Sequence, residues 1–440
     1  MVSILERKEL SKEQYEDRIS NLPNSLIAQI LSRLPTKYAV STSVLSTRWK
    51  QLWTSITKFD IDDELLFRPQ NNWTDPLRRS FKRFVGQVLL HHDSFVQLQS
   101  FRLKCRHIFD DSLVNGWITD ALLRNVQELD LDLSDWKEHS SMLPQDLFTC
   151  RTLVVLQLKA HGYINCSTSV PSTVSLPSLR ILHLSRIKFE NEDSINRVLF
   201  GCPVLEDLSM SKCVGENVSV INIVAPRLTS LVMEGCMCPP HAFGRKIVLD
   251  TPALLYLKIH EFSKGGRYLV ENIYRLIRAD ILFVDIDGSS KALTDLLKGI
   301  ANVQFLQLSI EVKYTDLPDG QLPKFPNMTC LELCHGVGWE FLLKLLENTP
   351  HLETLDLRSD YAAWKVPSCF LSHLKVIEIE NFQGEKEEWE IVDYFLRNVK
   401  VLEKVNIVCA YTSQKRTLPR TSDVAVLQRW YSAAKSAWLE

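Results

Sequence analysis

One pattern, apolar-x-x-apolar-x-apolar, recurs down most of this 440-residue chain and leaves few folds open to it. It occurs at Leu98/Phe101/Leu103, Val126/Leu129/Leu131, Leu153/Leu156/Leu158, Leu179/Leu182/Leu184, Leu205/Leu208/Met210 and Leu228/Leu231/Met233. It continues at Leu254/Leu257/Ile259, Ile281/Val284/Ile286, Val303/Leu306/Leu308, Met328/Leu331/Leu333, Leu352/Leu355/Leu357, Leu374/Ile377/Ile379 and Leu402/Val405/Ile407. Ile56/Phe59/Ile61 reads as an irregular first member. The last two apolar positions of each unit are two apart, so they share one face of a short strand. A single unit cannot bury that face alone, and neighbours must stack into a solenoid with a continuous apolar spine.

Successive units start about 22–28 residues apart, the period of leucine-rich repeats. The expected fold class is therefore α/β, a curved parallel sheet with return segments between strands. Thr74-Asp75-Pro76 starts a helix with Leu77, Phe81, Phe84, Val85, Val88 and Leu89 on one stripe and Arg78, Arg79, Lys82 and Arg83 on the other side. Further return helices are expected at 193–199, 268–278, 291–297 and 339–346. Cys213 and Cys236 follow their strands by three residues and read as structural.

The segment from Leu22 to Trp53 has a different logic. Leu22-Pro23 suits a helix start, and Leu26, Ile30, Leu31 and Leu34 form an apolar stripe. Pro35 ends that helix, Thr36 is a candidate cap for a second, and Ser46 for a third carrying Trp49, Leu52 and Trp53. Three short helices display more Leu, Ile, Val and Trp than they can bury among themselves. A stretch this short rarely folds alone, so a partner protein is the expected cover.

Its residues, from Asp17-Arg18-Ile19-Ser20 through Leu22-Pro23, Ile30–Lys37, Leu45-Ser46 and Arg48-Trp49 to Leu52-Trp53, resemble the F-box of plant F-box proteins. The resemblance implies docking to the small Skp-family adaptor of SCF ubiquitin ligases. It places Leu22, Pro23, Leu26, Ile30, Leu31, Leu34, Pro35, Val44, Leu45, Trp49 and Leu52 among the apolar contacts or the packing beneath them. The stretch Leu371–Ile379, followed by Phe382-Gln383-Gly384 and an acidic helix start, resembles the FBD domain that closes many plant F-box/leucine-rich-repeat proteins. The expected organisation is F-box 14–62, repeats 63–364 and FBD 365–437, with a last helix at 422–439.

Little points to catalysis. The chain lacks G-x-x-x-x-G-K-[ST], G-x-G-x-x-G, G-x-S-x-G and H-E-x-x-H. Its 11 cysteines lack the paired spacings of a zinc site, and no cofactor or metal is expected. His91-His92, at the end of an amphipathic helix, reads as surface. With 51 basic and 53 acidic residues, the chain has no general attraction for nucleic acid or anionic lipid. The charged first 18 residues carry no signal-peptide core, and no run approaches a membrane span. A reduced, nuclear or cytoplasmic setting is expected.

Recognition is expected on the outward strand positions, where solenoids commonly bind. The candidate target contacts are Tyr256, Lys258, Phe283, Asp285, Asp287, Phe305, Asp356 and Arg358. Charges there are read as alternating in sign, which suits a specific protein better than nucleic acid. The resemblance thus implies a non-catalytic subunit that holds a target protein near a cullin–RING assembly. A scaffold without degradative role and a co-receptor for a small ligand are the alternatives.

Overall fold

The computed structural model describes residues 19, 21–66, 75–105, 111–133, 143–165, 170–236, 245–263, 266–285, 291–312, 322–334, 339–358, 373–382, 386–399 and 401–409. Asp287 and the helix expected at 422–439 lie outside them. The chain divides into two compact units, Met1–Asp135 and Trp136–Glu440.

In the first unit, helices α1 (Asn24–Leu31) and α2 (Thr36–Ser41) lead into two 3₁₀ segments, Thr42–Val44 and Trp49–Ser55. Strand β1 (Lys58–Asp62), helices α3 (Asp63–Leu66) and α4 (Asp75–His91), β2 (Ser100–Cys105), α5 (Asp111–Leu123) and β3 (Glu128–Leu133) follow. The three strands run parallel, with Phe59 opposite Phe101 and Phe101 opposite Leu129. The irregular first repeat is real: Ile56, Phe59 and Ile61 are all buried.

The expected third helix of the N-terminal segment is a 3₁₀ stretch, although Ser46 Oγ does accept the Trp49 N–H at 3.4 Å. Thr36 caps nothing. It is the first residue of α2, wholly buried, and its Oγ1 accepts the Asp60 N–H of β1 at 2.8 Å. Ser32 Oγ likewise accepts the Thr57 N–H at 3.1 Å. Two hydroxyls from the helical module therefore satisfy backbone donors along the first strand, which is where unpaired groups would otherwise be left.

His92 is also misplaced by its local pattern. It is buried, with Nε2 2.9 Å from the Ile56 carbonyl, its ring edge-on to Phe59 at 4.9 Å, and Arg124 Nη1 3.4 Å from Nδ1. Burial holds its pKa below the ordinary imidazole value. His91, its neighbour, is exposed.

The second unit is the longer stack. Its elements are β4 (Val155–Asn165), β5 (Ile181–Asn191), α6 (Glu192–Phe200), β6 (Asp207–Ser211), β7 (Val214–Asn217), β8 (Val220–Val224), β9 (Ser230–Glu234) and β10 (Lys246–Asp250). Then come β11 (Tyr256–Ser263), β12 (Arg267–Glu271), β13 (Arg278–Asp285), α7 (Lys291–Gly299), β14 (Phe305–Val312) and β15 (Cys330–Leu333). The series ends with α8 (Trp339–Glu347), β16 (Thr354–Leu357), β17 (Val376–Phe382), α9 (Lys386–Asn398) and β18 (Lys404–Cys409). A long parallel sheet runs β4-β5-β6-β9-β11-β13-β14-β15-β16-β17-β18, and β8, β10 and β12 form a second parallel sheet.

The segment 268–278 is thus not a helix. Tyr268, Leu269 and Val270 extend β12, paired with β10 from Ile247↔Tyr268 onward. Ile273, Leu276 and Ile277 imitate helical spacing, but the β-favouring residues before them pair with a neighbouring strand instead. The repeat assigned to Ile281/Val284/Ile286 is out of phase for a related reason. The register aligns Ala279 with Leu257 and Leu306, and Ile281 with Ile259 and Leu308. The true unit is Leu276/Ala279/Ile281, all buried, and the small Ala279 hid it.

A left-handed residue recurs just after the third outward strand position. Arg186, Lys212, Gly235 and Asn381 take positive φ at this equivalent place, from 52° to 60°. The next residue then turns inward. Cys213 Sγ donates to the Leu184 carbonyl at 3.5 Å and Cys236 Sγ to the Met210 carbonyl at 3.4 Å, each reaching the preceding repeat. Burial pushes the thiols of Cys105 and Cys202 up, the latter to about 12, as befits structural cysteines.

At the side of the second sheet, α6 and α7 pack against β8 and β12. Asn191 Oδ1 caps α6 by accepting the Ser194 N–H at 2.9 Å. Glu192 accepts the Val220 N–H at 3.2 Å and a hydrogen bond from Ser219 Oγ. One turn on, Asn196 Oδ1 accepts the Asn222 N–H at 2.9 Å and its amide donates to the Val220 carbonyl at 3.3 Å.

Candidate partner-binding surfaces

Two surfaces stand out, one in each unit. The first is on the helical module. Ile27, Ala28 and Leu31 face the core, with Trp49 and Leu52 packed beneath, while Leu26, Ile30 and Leu34 point the other way. Leu26 is 44% exposed, Ile30 49%, and Val44 reaches 88%. Leu45, Tyr38 and Ile19 are exposed as well. Pro23 is exposed, and Leu22 and Pro35 are half-buried. The single stripe read from the sequence is therefore two stripes. Leu31, Trp49 and Leu52 pack inside, and an outward row at i, i+4, i+8 remains uncovered. A contiguous apolar surface of this kind marks an interaction site. The turn beneath it is braced by Arg48, whose guanidinium donates to Asn24 Oδ1 at 2.8 and 2.9 Å and to the Leu22 carbonyl.

The second surface is the open face of the long sheet. In the first unit, the equivalent face does alternate in sign. Arg102 lies 3.8 Å from Asp60 and 3.2 Å from Asp130, and Lys104 lies 3.1 Å from Asp62. In the second unit, Tyr256 and Phe305 flank Arg278 across three strands. Tyr256 Oη donates to Asp280 Oδ2 at 2.7 Å. Burial and that bond push its hydroxyl up to about 12. Arg278 Nε meets Asp280 Oδ1 at 2.9 Å, and its guanidinium stacks over the Phe305 ring at 4.1 Å. Lys258 pairs with Glu234.

Phe283 is not on this face. It is 1% exposed, because the phase of its repeat is set by Ala279 and Ile281 and alternation carries residue 283 inward. Asp285 ends β13 with its backbone opposite Ser263 and Val312. The residues missed by the shifted phase are Arg278 and Asp280. Farther along, Glu332, Asp356, Arg358, Glu378 and Glu380 follow on β15, β16 and β17 or just past their ends, and here the charges do not alternate. Among the described residues, no group of His, Cys, Asp and Glu has the geometry to hold a metal ion. No described helix is long and apolar enough to cross a membrane.

A helical module with an uncovered apolar row, leading a leucine-rich-repeat stack, defines an F-box/LRR protein. Comparison with known sequences specifies it further. Residues 19–60 match the F-box domain, 114–280 match the LRR repeats of FBD-associated F-box protein At5g56370, and 364–407 match the FBD domain. F-box/FBD/LRR-repeat protein At5g56420 of Arabidopsis thaliana is 32% identical over 388 residues, covering 85% of this chain and 87% of the relative. F-box/LRR-repeat protein At4g14103 of the same plant is 33% identical over 359 residues, 77% of this chain and 91% of the relative. FBD-associated F-box protein At4g10400 is 31% identical over 375 residues, 82% and 84% of the two chains. The chain belongs to the plant F-box/FBD/LRR-repeat family.

Proposed function

We propose that the chain is the substrate-recognition subunit of an SCF-type cullin–RING ubiquitin ligase. It docks a Skp-family adaptor through the helical module and holds a target protein on the open face of the repeats. The observation that carries this reading is the uncovered row Leu26/Ile30/Leu34 with Val44 and Leu45, on a module whose other side is already packed. Burying each such side chain against a partner contributes about 1–2 kcal/mol, since between 38% and 88% of its surface is still exposed. The subunit's contribution to ubiquitin transfer is proximity, and the chemistry belongs to the associated enzymes. Burial raises the pKa of the half-buried thiols Cys330, to about 11, and Cys334, which makes them poor nucleophiles. A small anionic ligand is disfavoured, because Arg278 and Arg358 are already engaged by carboxylates.

Co-purification with a Skp-family adaptor tests the docking half. Ile30→Glu with Val44→Glu changes exposed positions only. The double variant should keep the parent melting temperature and lose the adaptor. Undiminished recovery of the adaptor with a folded variant would sink the assignment.

A further inference from the structure

The second sheet has a solvent face of its own. Ile247, Leu249 and Tyr268 are buried on its inner side, and alternation turns the residues between them outward. The register of β10 with β12 sets these outward residues in rows. Lys246 lies opposite Arg267, Val248 opposite Leu269, and Asp250 opposite Glu271. On the other side of β10, β8 completes the rows with uncharged residues. The face is thus basic at one end, apolar in the middle and acidic at the other.

Like charges therefore stand side by side at both ends, and neighbours of one sign on adjacent strands repel. Lys246, Arg267 and Glu271 are exposed, and no described residue forms an ion pair with any of them. The Asp250 carboxylate accepts from the Asn272 amide at 3.0 Å. Arg267 and Glu271 are four residues apart on one strand, roughly 13 Å, so they cannot neutralise each other within the chain. Leu269, between them, is 39% exposed. Helices α6 and α7 pack beside β8 and β12, the two edge strands, so what the sheet offers is its face.

We propose that this face docks a second copy of the chain. A two-fold axis lying between the two sheets, perpendicular to the strands, sets each strand over its own equivalent and antiparallel to it. Lys246 then faces the second copy's Asp250, Arg267 faces its Glu271, and Leu269 meets Leu269 on the axis. An axis along the strands would instead set Lys246 against Lys246, so charge selects one arrangement. The face complements itself, which favours a like partner over an unlike protein. Three strands span only about 10 by 13 Å between backbone atoms. A stable partner face needs about 800 Å², so this dimer is weak, reversible and dependent on charge. The inference stands apart from the ligase reading.

Sedimentation velocity of the full chain over a concentration series tests this. A reversible monomer–dimer equilibrium is expected, weakened by added salt. Symmetry makes each substitution act twice. Arg267→Glu and Glu271→Arg should each weaken dimerisation about tenfold or more, since each turns two attractions into two repulsions. Both changes in one chain should restore the parent's association, because the exchanged pair is again complementary across the axis. Both positions are exposed, so the melting temperature should not move. Leu269→Asp sets like charges together on the axis and should abolish the dimer; if that variant fails to fold, the charge exchange still decides. A monomer at every concentration would give the face to an unlike protein and overturn the proposal. So would an association indifferent to Arg267→Glu, which would belong to another surface, or a double variant no better than the single ones.

Discussion

Thr36→Val isolates one bond that ties the helical module to the first strand. The two side chains have nearly the same shape, so no cavity opens, and the exchange replaces a hydroxyl by a methyl. What is lost is the acceptor for the Asp60 N–H, held at 2.8 Å by a residue with no exposed surface. An unsatisfied buried donor costs about 1–3 kcal/mol, and the extra buried methyl returns a fraction of that. A net loss of about 1–2 kcal/mol is expected, lowering the first unfolding midpoint by about 2–4 °C per kcal/mol. Amide hydrogen exchange gives the local reading. Protection at Asp60 should fall about 5- to 30-fold, while Phe101 and Leu129, deeper in the sheet, should change no more than the midpoint requires. If protection at Asp60 is unchanged in Thr36→Val, the hydroxyl is not the acceptor and the account of this junction fails.

Other outcomes follow from the same geometry. Leu31→Ala, at a position 1% exposed, should cost about 2–5 kcal/mol in a urea melt, unlike changes on the outward row. His92 has a folded pKa below its unfolded value, so the unfolded chain binds more protons as pH drops through about 6.5. Stability should therefore be full above that pH and decline below it, and His92→Gln should flatten this part of the profile. A Cβ on Gly299 would fall 2.1 Å from Val270 Cβ, so Gly299→Ala should loosen α7 from β12 and cost about 1–3 kcal/mol, measured by thermal melting. Glu332→Gln removes a carboxylate whose ionisation the fold disfavours, so its melting temperature at pH 7 should be unchanged or higher than the parent's.

The spine was legible because it depends on bulk and spacing alone, and twelve of the aligned repeats use large residues that declare themselves. It slipped where bulk gave out, at Ala279. That slip moved the apparent face to Phe283, Asp285 and Asp287 and concealed Arg278 and Asp280. Asp280 was thereby assigned to the core side, while Asp356 and Arg358, in repeats whose phase was read correctly, stayed on the outward face. The left-handed position after each strand was hidden for another reason: Arg186, Lys212, Gly235 and Asn381 share a backbone conformation and no side-chain property. The inward turns of Thr36 and His92 depend on contacts with residues 24 and 36 positions away, which local pattern does not carry. The outward row of the helical module was legible as composition, but dividing it from Leu31, Trp49 and Leu52 required knowing where the core lies.

The α6 contact with β8 has a metrical consequence. Glu192 and Asn196 are four residues apart on a helix, about 6.0 Å along its axis. Val220 and Asn222 are two apart on a strand, about 6.6 Å. The near-equality of these lengths lets a helix impersonate a neighbouring strand, offering acceptors at the spacing a ladder would. The edge of β8 thereby finds its donors answered by side chains of α6, and a stray strand from another chain meets occupied amides rather than a template. Such a match has no tolerance for slippage: moving α6 by a single residue would rotate both acceptors away together. Length variation in this family would then be expected to collect elsewhere than between these two elements.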